Sequence, residues 1–215
     1  MVEAEIKPFV EIGTRNLHIA DGPIDFATWV ALPSDIDCEL VGGVLVDRMV
    51  AYHPHESLFN WLSTILTNYV ADQDLGIVLG SRTALKITNY DGRLPDIVFV
   101  RSENRRIVKR DAIHGVPDLV IEILSENDRR NHIVQLESDY YHVGVPEIVF
   151  IDPRKKHVRY IRKAGSEYVS SIQSSGKLEF TCVPGFWIEL EWLFTEDRPK
   201  PLTMANELIA AQQNR

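Results

Sequence analysis

The chain has 215 residues, of which 45% are hydrophobic; this is enough for one substantial core, so we expect a single domain. Its net charge of -8 excludes a surface covered with phosphate-binding lysine and arginine, and any nucleic-acid surface must therefore be local. The two cysteines lie far apart and indicate neither a zinc site nor a disulfide framework. No stretch approaches the roughly 20 apolar residues that span a bilayer, and no signal-peptide pattern opens the chain, so we expect a cytoplasmic protein with no membrane partner.

The first elements in chain order are an N-terminal extension and a hairpin. We assign residues 1–38 to an extension that is irregular or briefly helical, residues 39–195 to the folded domain and residues 196–215 to a C-terminal tail. In the stretch CELVGGVLVDRMV, Gly42 and Gly43 separate two short apolar runs. Because glycine accepts the positive φ angles of a tight turn, this pattern predicts a β-hairpin.

Two helices are predicted from apolar residues at three-and-four spacing. The first lies in HESLFNWLSTILTNYV, which begins at His55, and the second lies in RRNHIVQLESDYYHV, which ends before Gly144. Short runs of branched apolar residues predict strands in IVLGSRTALKI, DIVFV and DLVIEIL. The stretch EIVFIDPRKKHVRYIRKAGSEYVSSI predicts three more strands, with a first turn at residues 153–157. This order of elements predicts an α/β (α+β) fold in which helices cover a sheet.

Two Pro-Asp pairs precede apolar runs, in RLPDIVFV and in PDLVIEILS. Proline is tolerated at the first residue of a strand, so Asp96 and Asp118 can be interpreted simply as surface residues at strand entries. Glu122 differs because it lies in a run that is apolar on both faces, which is typical of a central strand. A buried carboxylate needs an arginine, a metal ion or a raised pKa. One alternative is therefore a structural arginine partner, and the other is a pocket of two carboxylates for Mg²⁺, which indicates phosphodiester chemistry.

Several of these residues form a recognisable succession along the chain. In order they are Glu39-Leu40 before the Gly-Gly pair, His55, Pro95-Asp96, Pro117-Asp118 through Glu122 to Ser125, Tyr140, Gly144-Val145, Glu147 and Asp152-Pro153. This succession resembles the Uma-type bacterial family of restriction-endonuclease-like proteins, which belongs to the PD-(D/E)XK nuclease superfamily. The similarity runs from about residue 25 to residue 195 and includes the late stretch VPGFWIELEWLF. It implies a restriction endonuclease-like mixed central sheet flanked by helices.

The resemblance also implies an endonuclease that uses Mg²⁺ (or Mn²⁺) and acts on DNA. Asp96 would match the aspartate of the PD motif and Glu122 the acidic member of the (D/E)XK motif, and together they would hold the metal. Glu39 would be an additional acidic ligand or would position water. Since restriction-type nucleases often act as dimers to cut two strands, we expect a homodimer, with WIELEWLF as a segment for packing onto the partner.

The sequence departs from this family at the catalytic lysine. Leu124 stands where the (D/E)XK motif has lysine, and on the following helix the family's usual aspartate falls on His132 and its usual lysine on Leu136. Leu136 belongs to an apolar stripe, so we expect it to pack in the core. A basic substitute could come from His132 acting as a proton acceptor, or from Arg129, Arg130 or Lys86. Two hypotheses stay open: an active endonuclease, and a catalytically impaired binding module with the same fold.

Three further features receive broader interpretations. His55 has three open interpretations: a cap of the first helix, a residue that faces the site, or a plain surface residue. The two densest basic stretches, RSENRRIVKR and DPRKKHVRYIRKA, could each contact a phosphate backbone, although a basic turn is more often simply solvated. The tryptophans of the apolar patterns are expected in the core or in an interface rather than stacked on bases. A serine hydrolase is poorly supported because the chain has no G-x-S-x-G motif.

Overall fold

The computed structural model describes residues 10–12, 15–18, 22–33, 36–48, 52–80, 82–125, 128 and 130–213. Within these ranges the α-helices are α1 (Phe26–Val30), α2 (His53–Asp72), α3 (Arg130–Val143) and α4 (Pro201–Gln213). The strands are β1 (Val10–Ile12), β2 (Arg15–His18), β3 (Cys38–Val41), β4 (Val44–Asp47), β5 (Gly76–Gly80), β6 (Leu85–Lys86), β7 (Gly92–Arg93), β8 (Ile97–Arg101), β9 (Leu119–Ile123), β10 (Glu147–Asp152), β11 (His157–Ala164), β12 (Glu167–Gln173), β13 (Lys177–Glu179) and β14 (Trp187–Glu189). The predicted α+β class is confirmed.

The central sheet has the strand order β12-β11-β10-β9-β8-β5. Neighbouring strands run antiparallel except β9 and β10, which are parallel and are connected by α3. A parallel pair requires such a crossover connection. All five residues of β9 are buried, and the strand has partners on both sides. The prediction of a central strand through Glu122 is therefore confirmed.

The two faces of the central sheet pack against different helices. Side chains alternate along a strand, so the odd-numbered and even-numbered residues of β9 enter different cores. Ile121 joins the core formed with α2 and α4. Val120 joins the core that contains Leu136 and Tyr140 of α3. Glu122 therefore projects toward α3.

The second six-stranded sheet, β1-β2-β4-β3-β7-β6, includes the predicted hairpin. Gly42 and Gly43 have φ angles of 57° and 77°, as a tight turn between β3 and β4 requires, so this prediction is confirmed. The short helix α1 agrees with the brief helix expected in the first 38 residues, and it buries Phe26 and Trp29. Strands β1 and β2 were not predicted, because runs of three and four residues carry too little pattern.

Both long helices of the sequence analysis are confirmed with small shifts at their N-terminal ends. Helix α2 begins two residues before His55 and has Pro54 in its first turn, and α3 begins at Arg130. The predicted stripe of α2 is buried at Leu58, Leu62, Ile65, Leu66 and Tyr69.

The region assigned to the C-terminal tail contains α4. Its Met204, Ala205 and Leu208 are buried in the core that α2 also enters. The division of the chain into an extension, a domain and a tail stays a prediction. No helix in the described ranges combines the length and the apolar character needed to cross a membrane.

Candidate active site

Asp96 and Glu122 lie opposite each other on neighbouring strands. Ile97 of β8 pairs with Ile121 of β9 in antiparallel register, and one further step along this register places Asp96 beside Glu122. Directly opposite residues on antiparallel strands project from the same face of the sheet. The backbone N–H of Asp96 donates to Glu122 Oε2 at 3.3 Å, and Asp96 Oδ2 accepts from the N–H of Ile123 at 2.8 Å. The two buried carboxylates therefore converge on the α3 side of the sheet.

Two basic side chains approach Asp96 from other elements. His55, in the first turn of α2, has its Nε2 atom 3.2 Å from Asp96 Oδ2. Arg48, which follows β4, has its Nη2 atom 3.6 Å from Asp96 Oδ1. Burial acts to lower the pKa values of both side chains, but the neighbouring carboxylates outweigh it and raise both pKa values. Of the interpretations of His55, the contact with Asp96 agrees with the one in which it faces the candidate site, since its side chain is only 13% exposed and the N-cap of α2 is Tyr52.

Glu122 accepts a hydrogen bond from a tyrosine. Its Oε1 atom accepts a hydrogen bond from the hydroxyl of Tyr140 on α3. Burial and the negative charge of Asp96 raise the pKa of Glu122 well above its usual range, and the bond from Tyr140 offsets only part of this effect. Burial and the charge of Glu122 also raise the pKa of Tyr140, which keeps its hydroxyl a donor. The site therefore contains a carboxylate that is costly to ionise.

Glu39 lies in the same charged cluster but is held by an arginine. Its Oε2 atom is 2.8 Å from Nη1 of Arg93, and its Oε1 atom accepts from the N–H of Leu94 at 3.2 Å. Nε of Arg93 donates to Asp139 Oδ2 on α3 at 2.7 Å. Burial acts to raise the pKa of Glu39, but Arg93 and weaker cationic neighbours lower it overall. This buried network joins β3, β7 and α3 beside Glu122, whose pKa the charge of Glu39 also raises.

His132 lies at the edge of this cluster. Its Nε2 atom is 3.7 Å from Asp128 Oδ1, and its charge contributes to the low pKa of Glu39. Its side chain is 16% exposed, so it is partly accessible to solvent. The structure therefore brings all four predicted site residues, Asp96, Glu122, Glu39 and His132, into one region.

Of the other proposed substitutes for the lysine, Lys86 lies against a different part of the fold. Lys86 is placed over the ring of Phe26, 5.5 Å from its centroid, and it lines a cavity of about 460 Å³ to which His114 and His142 also contribute. Arg130 is exposed at the start of α3, and Arg129 lies outside the described residues. Leu136 is 4% exposed in the core between α3 and the sheet, so its predicted packing role is confirmed.

Asp118 of the second Pro-Asp pair has a structural role at the opposite end of β9. Its Oδ2 atom accepts from the N–H of Arg101 at 2.8 Å, and its Oδ1 atom accepts from Asn104 Nδ2 at 3.0 Å. These bonds hold the segment that follows β8. Asp118 is thus a strand-entry residue, as the simpler interpretation has it, although it is buried rather than at the surface.

The Asp96–Glu122 pair suits a hard divalent cation by charge and by ligand type. Mg²⁺ prefers oxygen ligands and commonly binds one or two protein carboxylates together with waters and substrate phosphates. A cation between these residues would relieve the repulsion that contributes to the raised pKa of Glu122. Among the residues that the structure describes, no three His, Cys, Asp or Glu side chains are arranged around one metal position. Asp96 and Glu122 would be the two residues that hold such a cation, and water and substrate phosphate would supply further ligands.

Four members of the cluster received no site role from the sequence: Arg48, Arg93, Asp139 and Tyr140. The Arg93 contacts join residues 46 and 54 positions apart, so no local pattern reports them. One signal was present at Asp139, an acidic residue directly before the buried Tyr140 of the apolar stripe. An acidic residue placed against a core needs a cationic partner.

The chain is similar to a known protein family and to a solved structure. A protein-family model described as "Uma2: Putative restriction endonuclease" matches residues 25–192. The chain is also similar to the crystal structure of a "putative nuclease belonging to DUF820" from Anabaena variabilis, with a TM-score of 0.67 and 16% identity, over 80% of this chain and 98% of that chain. At this identity the similarity shows the fold. None of the curated proteins matches the chain. Because the family match extends over most of its length, the chain belongs to the Uma2 family of restriction-endonuclease-like proteins.

Proposed function

We propose that this protein is a metal-dependent endonuclease that hydrolyses phosphodiester bonds in DNA, with Mg²⁺ or Mn²⁺ held by Asp96 and Glu122. The observation that carries the proposal is the pair of buried carboxylates opposite each other on β8 and β9. Arg48 and His55 offset part of the charge of Asp96, and a divalent cation would add positive charge where the repulsion between Asp96 and Glu122 still raises the pKa of Glu122. Membership of a family described as restriction endonucleases supports DNA as the substrate.

The protein side chains prepare this site. When bound, Mg²⁺ supplies a coordinated water of lowered pKa and neutralises charge on the scissile phosphate and the leaving oxygen. The N–H of Ile123 fixes Asp96, and the hydroxyl of Tyr140 fixes Glu122. These bonds orient both carboxylates before substrate binds, which reduces the reorganisation needed during the reaction.

Three basic residues are proposed to share the role of the missing lysine. Arg48 stays protonated, so it can hold a phosphate oxygen but cannot accept a proton. His55 has a pKa above its usual value and lies against Asp96, which suits it to give a proton to the leaving oxygen. His132 is the proposed proton acceptor for the attacking water because a neutral imidazole can accept a proton and because its side chain is 16% exposed.

Glu39 is proposed to position the site rather than to bind the metal directly. Its charge is already offset by the buried ion pair with Arg93, whose Nη1 atom lies 2.8 Å from Glu39 Oε2. Through Arg93 it fixes α3, which carries Tyr140. Its charge still contributes to the field at Glu122.

A plasmid-nicking experiment tests the proposed function. We expect Mg²⁺-dependent or Mn²⁺-dependent cleavage of supercoiled DNA by the wild-type protein, and a loss of at least about 100-fold in Asp96→Asn and Glu122→Gln. Asp118→Asn is the matched control because it alters the other Pro-Asp pair, at the far end of β9, and keeps an acceptor for the N–H of Arg101. Cleavage that survives in Asp96→Asn would overturn the proposal.

A catalytically impaired binding module is the second candidate. The observation that favours it is the burial of Leu136, which occupies the family's usual lysine position and leaves no lysine there. This alternative predicts DNA binding without cleavage under any divalent cation. The nicking experiment separates the two functions, since only the first yields products that depend on Asp96.

The expected homodimer and the cytoplasmic location stay predictions. The segment WIELEWLF was expected to pack onto a partner. Its Ile188, Leu190 and Leu193 are instead buried within the chain's own core. Trp187 and Trp192 also pack against that core, so the apolar character of this segment is explained without a partner.

A further inference from the structure

Sheet topology places one of the two basic stretches near the candidate site and the other far from it. Strand β8 begins directly after Asp96 and runs away from the site, so the stretch that follows it, residues 101–110, lies at the far end of the sheet. Strands β9 and β10 are parallel, and both run toward the site. The turn after β10, residues 153–156, therefore lies at the same end of the sheet as Asp96 and Glu122. We refer to it as the basic turn.

The register gives the distance from Glu122 to Asp152, the residue directly before the basic turn. Glu122 pairs with Phe150 on the adjacent strand, and Asp152 lies two residues beyond Phe150 on the same face. With strands about 4.8 Å apart and a rise of about 3.3 Å per residue, the Cα atoms of Glu122 and Asp152 are roughly 8 Å apart. A cation on the basic turn can therefore reach a phosphate close to one bound at the site.

The basic turn is held in one conformation by a buried carboxylate. Asp152 is 1% exposed, and its Oδ1 atom accepts from the N–H groups of Arg154 and Lys155, each at 3.2 Å. Its Oδ2 atom lies 3.0 Å from Lys155 Nζ. Lys156 has a φ angle of 50°, in the left-handed region that non-glycine residues adopt only where the surrounding structure imposes it. A preformed turn loses less conformational entropy on binding than a mobile one.

The charge of the basic turn fits a polyanion. The side chains of Arg154 and Lys155 are 39% and 65% exposed, and Lys156 is exposed as well. Three cations against the single carboxylate of Asp152 leave a local positive charge on a protein whose net charge is -8. We propose that the basic turn binds the phosphate backbone of duplex DNA next to the bond that is cut. The choice of DNA as the ligand rests on the proposed nuclease function.

The test is duplex binding measured by fluorescence anisotropy, with a labelled DNA of about 20 base pairs in EDTA, across a series of salt concentrations. Lys155→Gln/Lys156→Gln should weaken binding about 10-fold at low salt. A plot of the logarithm of the association constant against the logarithm of the salt concentration has a negative slope, and the magnitude of this slope should fall by roughly one to two. Arg105→Gln/Arg106→Gln is the matched control, since it removes the same charge from exposed residues of the other basic stretch. This control variant should change neither the affinity at low salt nor the salt dependence of binding.

Each outcome supports or overturns the proposal that the basic turn binds duplex DNA. Equal losses in the two double variants, a loss in the control alone, or no duplex binding by the wild-type protein would overturn the inference. Tighter binding of single-stranded RNA than of duplex DNA would overturn the assignment of the partner. If the basic turn is needed for binding but no cation supports cleavage, the inference stands and the nuclease function fails. If cleavage depends on Asp96 while Lys155→Gln/Lys156→Gln binds like wild type, the function stands and the inference fails.

Discussion

Glu122 and Glu147 are both buried glutamates, but their surroundings differ in a way that indicates different roles. The oxygens of Glu147 accept from the Tyr160 hydroxyl, from the N–H and hydroxyl of Thr181 and from the N–H of Cys182. Glu122 accepts from Tyr140 and from the N–H of Asp96, and it faces the carboxylate of Asp96. The carboxylate of Glu147 thus stabilises the fold, whereas that of Glu122 opposes it. Such locally unfavourable residues concentrate at functional sites.

Replacing Glu122 by glutamine should change how the stability of the protein depends on pH. The pKa of Glu122 is raised in the folded state by burial and by Asp96, so its contribution to stability is present at low pH and is lost as pH rises through the folded-state pKa. We therefore expect Glu122→Gln, without divalent cation, to be more stable than wild type at pH 8, by on the order of 1 kcal/mol. This advantage should shrink toward pH 4.5. Urea unfolding at the two pH values measures it.

Glu147→Gln is the matched control for this prediction. Each oxygen of Glu147 accepts from a backbone N–H, so an amide there would direct its own N–H group toward a group that cannot accept, and we expect a loss of about 1–3 kcal/mol at pH 8. At residue 122 the amide nitrogen can face the Tyr140 hydroxyl, which can also accept a hydrogen bond. The same chemical change should therefore have opposite signs at the two buried glutamates. If Glu122→Gln is no more stable than wild type at pH 8, the carboxylate of Glu122 is not the unfavourable group described above.

At the scale of elements, Arg93 connects the second sheet to α3. It is 1% exposed and binds both Glu39 on β3 and Asp139 on α3. Arg93→Met would leave two buried carboxylates without their cation, and we expect a loss of about 3–5 kcal/mol at pH 7. The pKa of Glu39 is lowered in the folded wild type, so the stability that it contributes is present at neutral pH and is lost as pH falls. The difference between Arg93→Met and wild type should therefore narrow as pH falls below the ordinary glutamate pKa of about 4.3, as urea unfolding at pH 7 and below that value will show.

Arg159→Met provides the comparison for Arg93. Arg159 also pairs with a glutamate of α3, Glu137, but its side chain is 33% exposed. Ion pairs that reach solvent contribute little, so we expect Arg159→Met to cost less than about 1 kcal/mol. Equal losses in the two variants would contradict a special role for the buried network of Arg93.

The sequence predicts those elements whose pattern is local. The Gly42-Gly43 hairpin, the stripe of α2 and the buried run of β9 are each determined by residues a few positions apart, and the structure confirms all three. The prediction that Asp96 and Glu122 act together came from the family resemblance, and their strand register was not predicted, since periodicity alone gives no register. The contacts of Arg48 and Arg93 were not predictable because they join elements that meet only after the chain has folded.

At the scale of the whole molecule, the candidate site is a junction of distant parts of the chain. The hairpin supplies Arg48, α2 supplies His55, β8 and β9 flank the two carboxylates, and α3 supplies Tyr140. A ligand that binds only the folded state stabilises it by mass action, by about 2.7 kcal/mol at 100 times its dissociation constant. A cation at Asp96 and Glu122 is therefore expected to bind only after these elements have assembled.

The most direct test of the account is Mn²⁺ binding measured by isothermal titration calorimetry. We expect one Mn²⁺ site per chain in the wild-type protein and the same affinity for Mn²⁺ in Asp118→Asn. In both Asp96→Asn and Glu122→Gln, the affinity for Mn²⁺ should be at least about 10-fold weaker. Mn²⁺ binding that is unchanged in Asp96→Asn, or that is weakened equally by Asp118→Asn, would contradict a metal centre built from this pair of carboxylates.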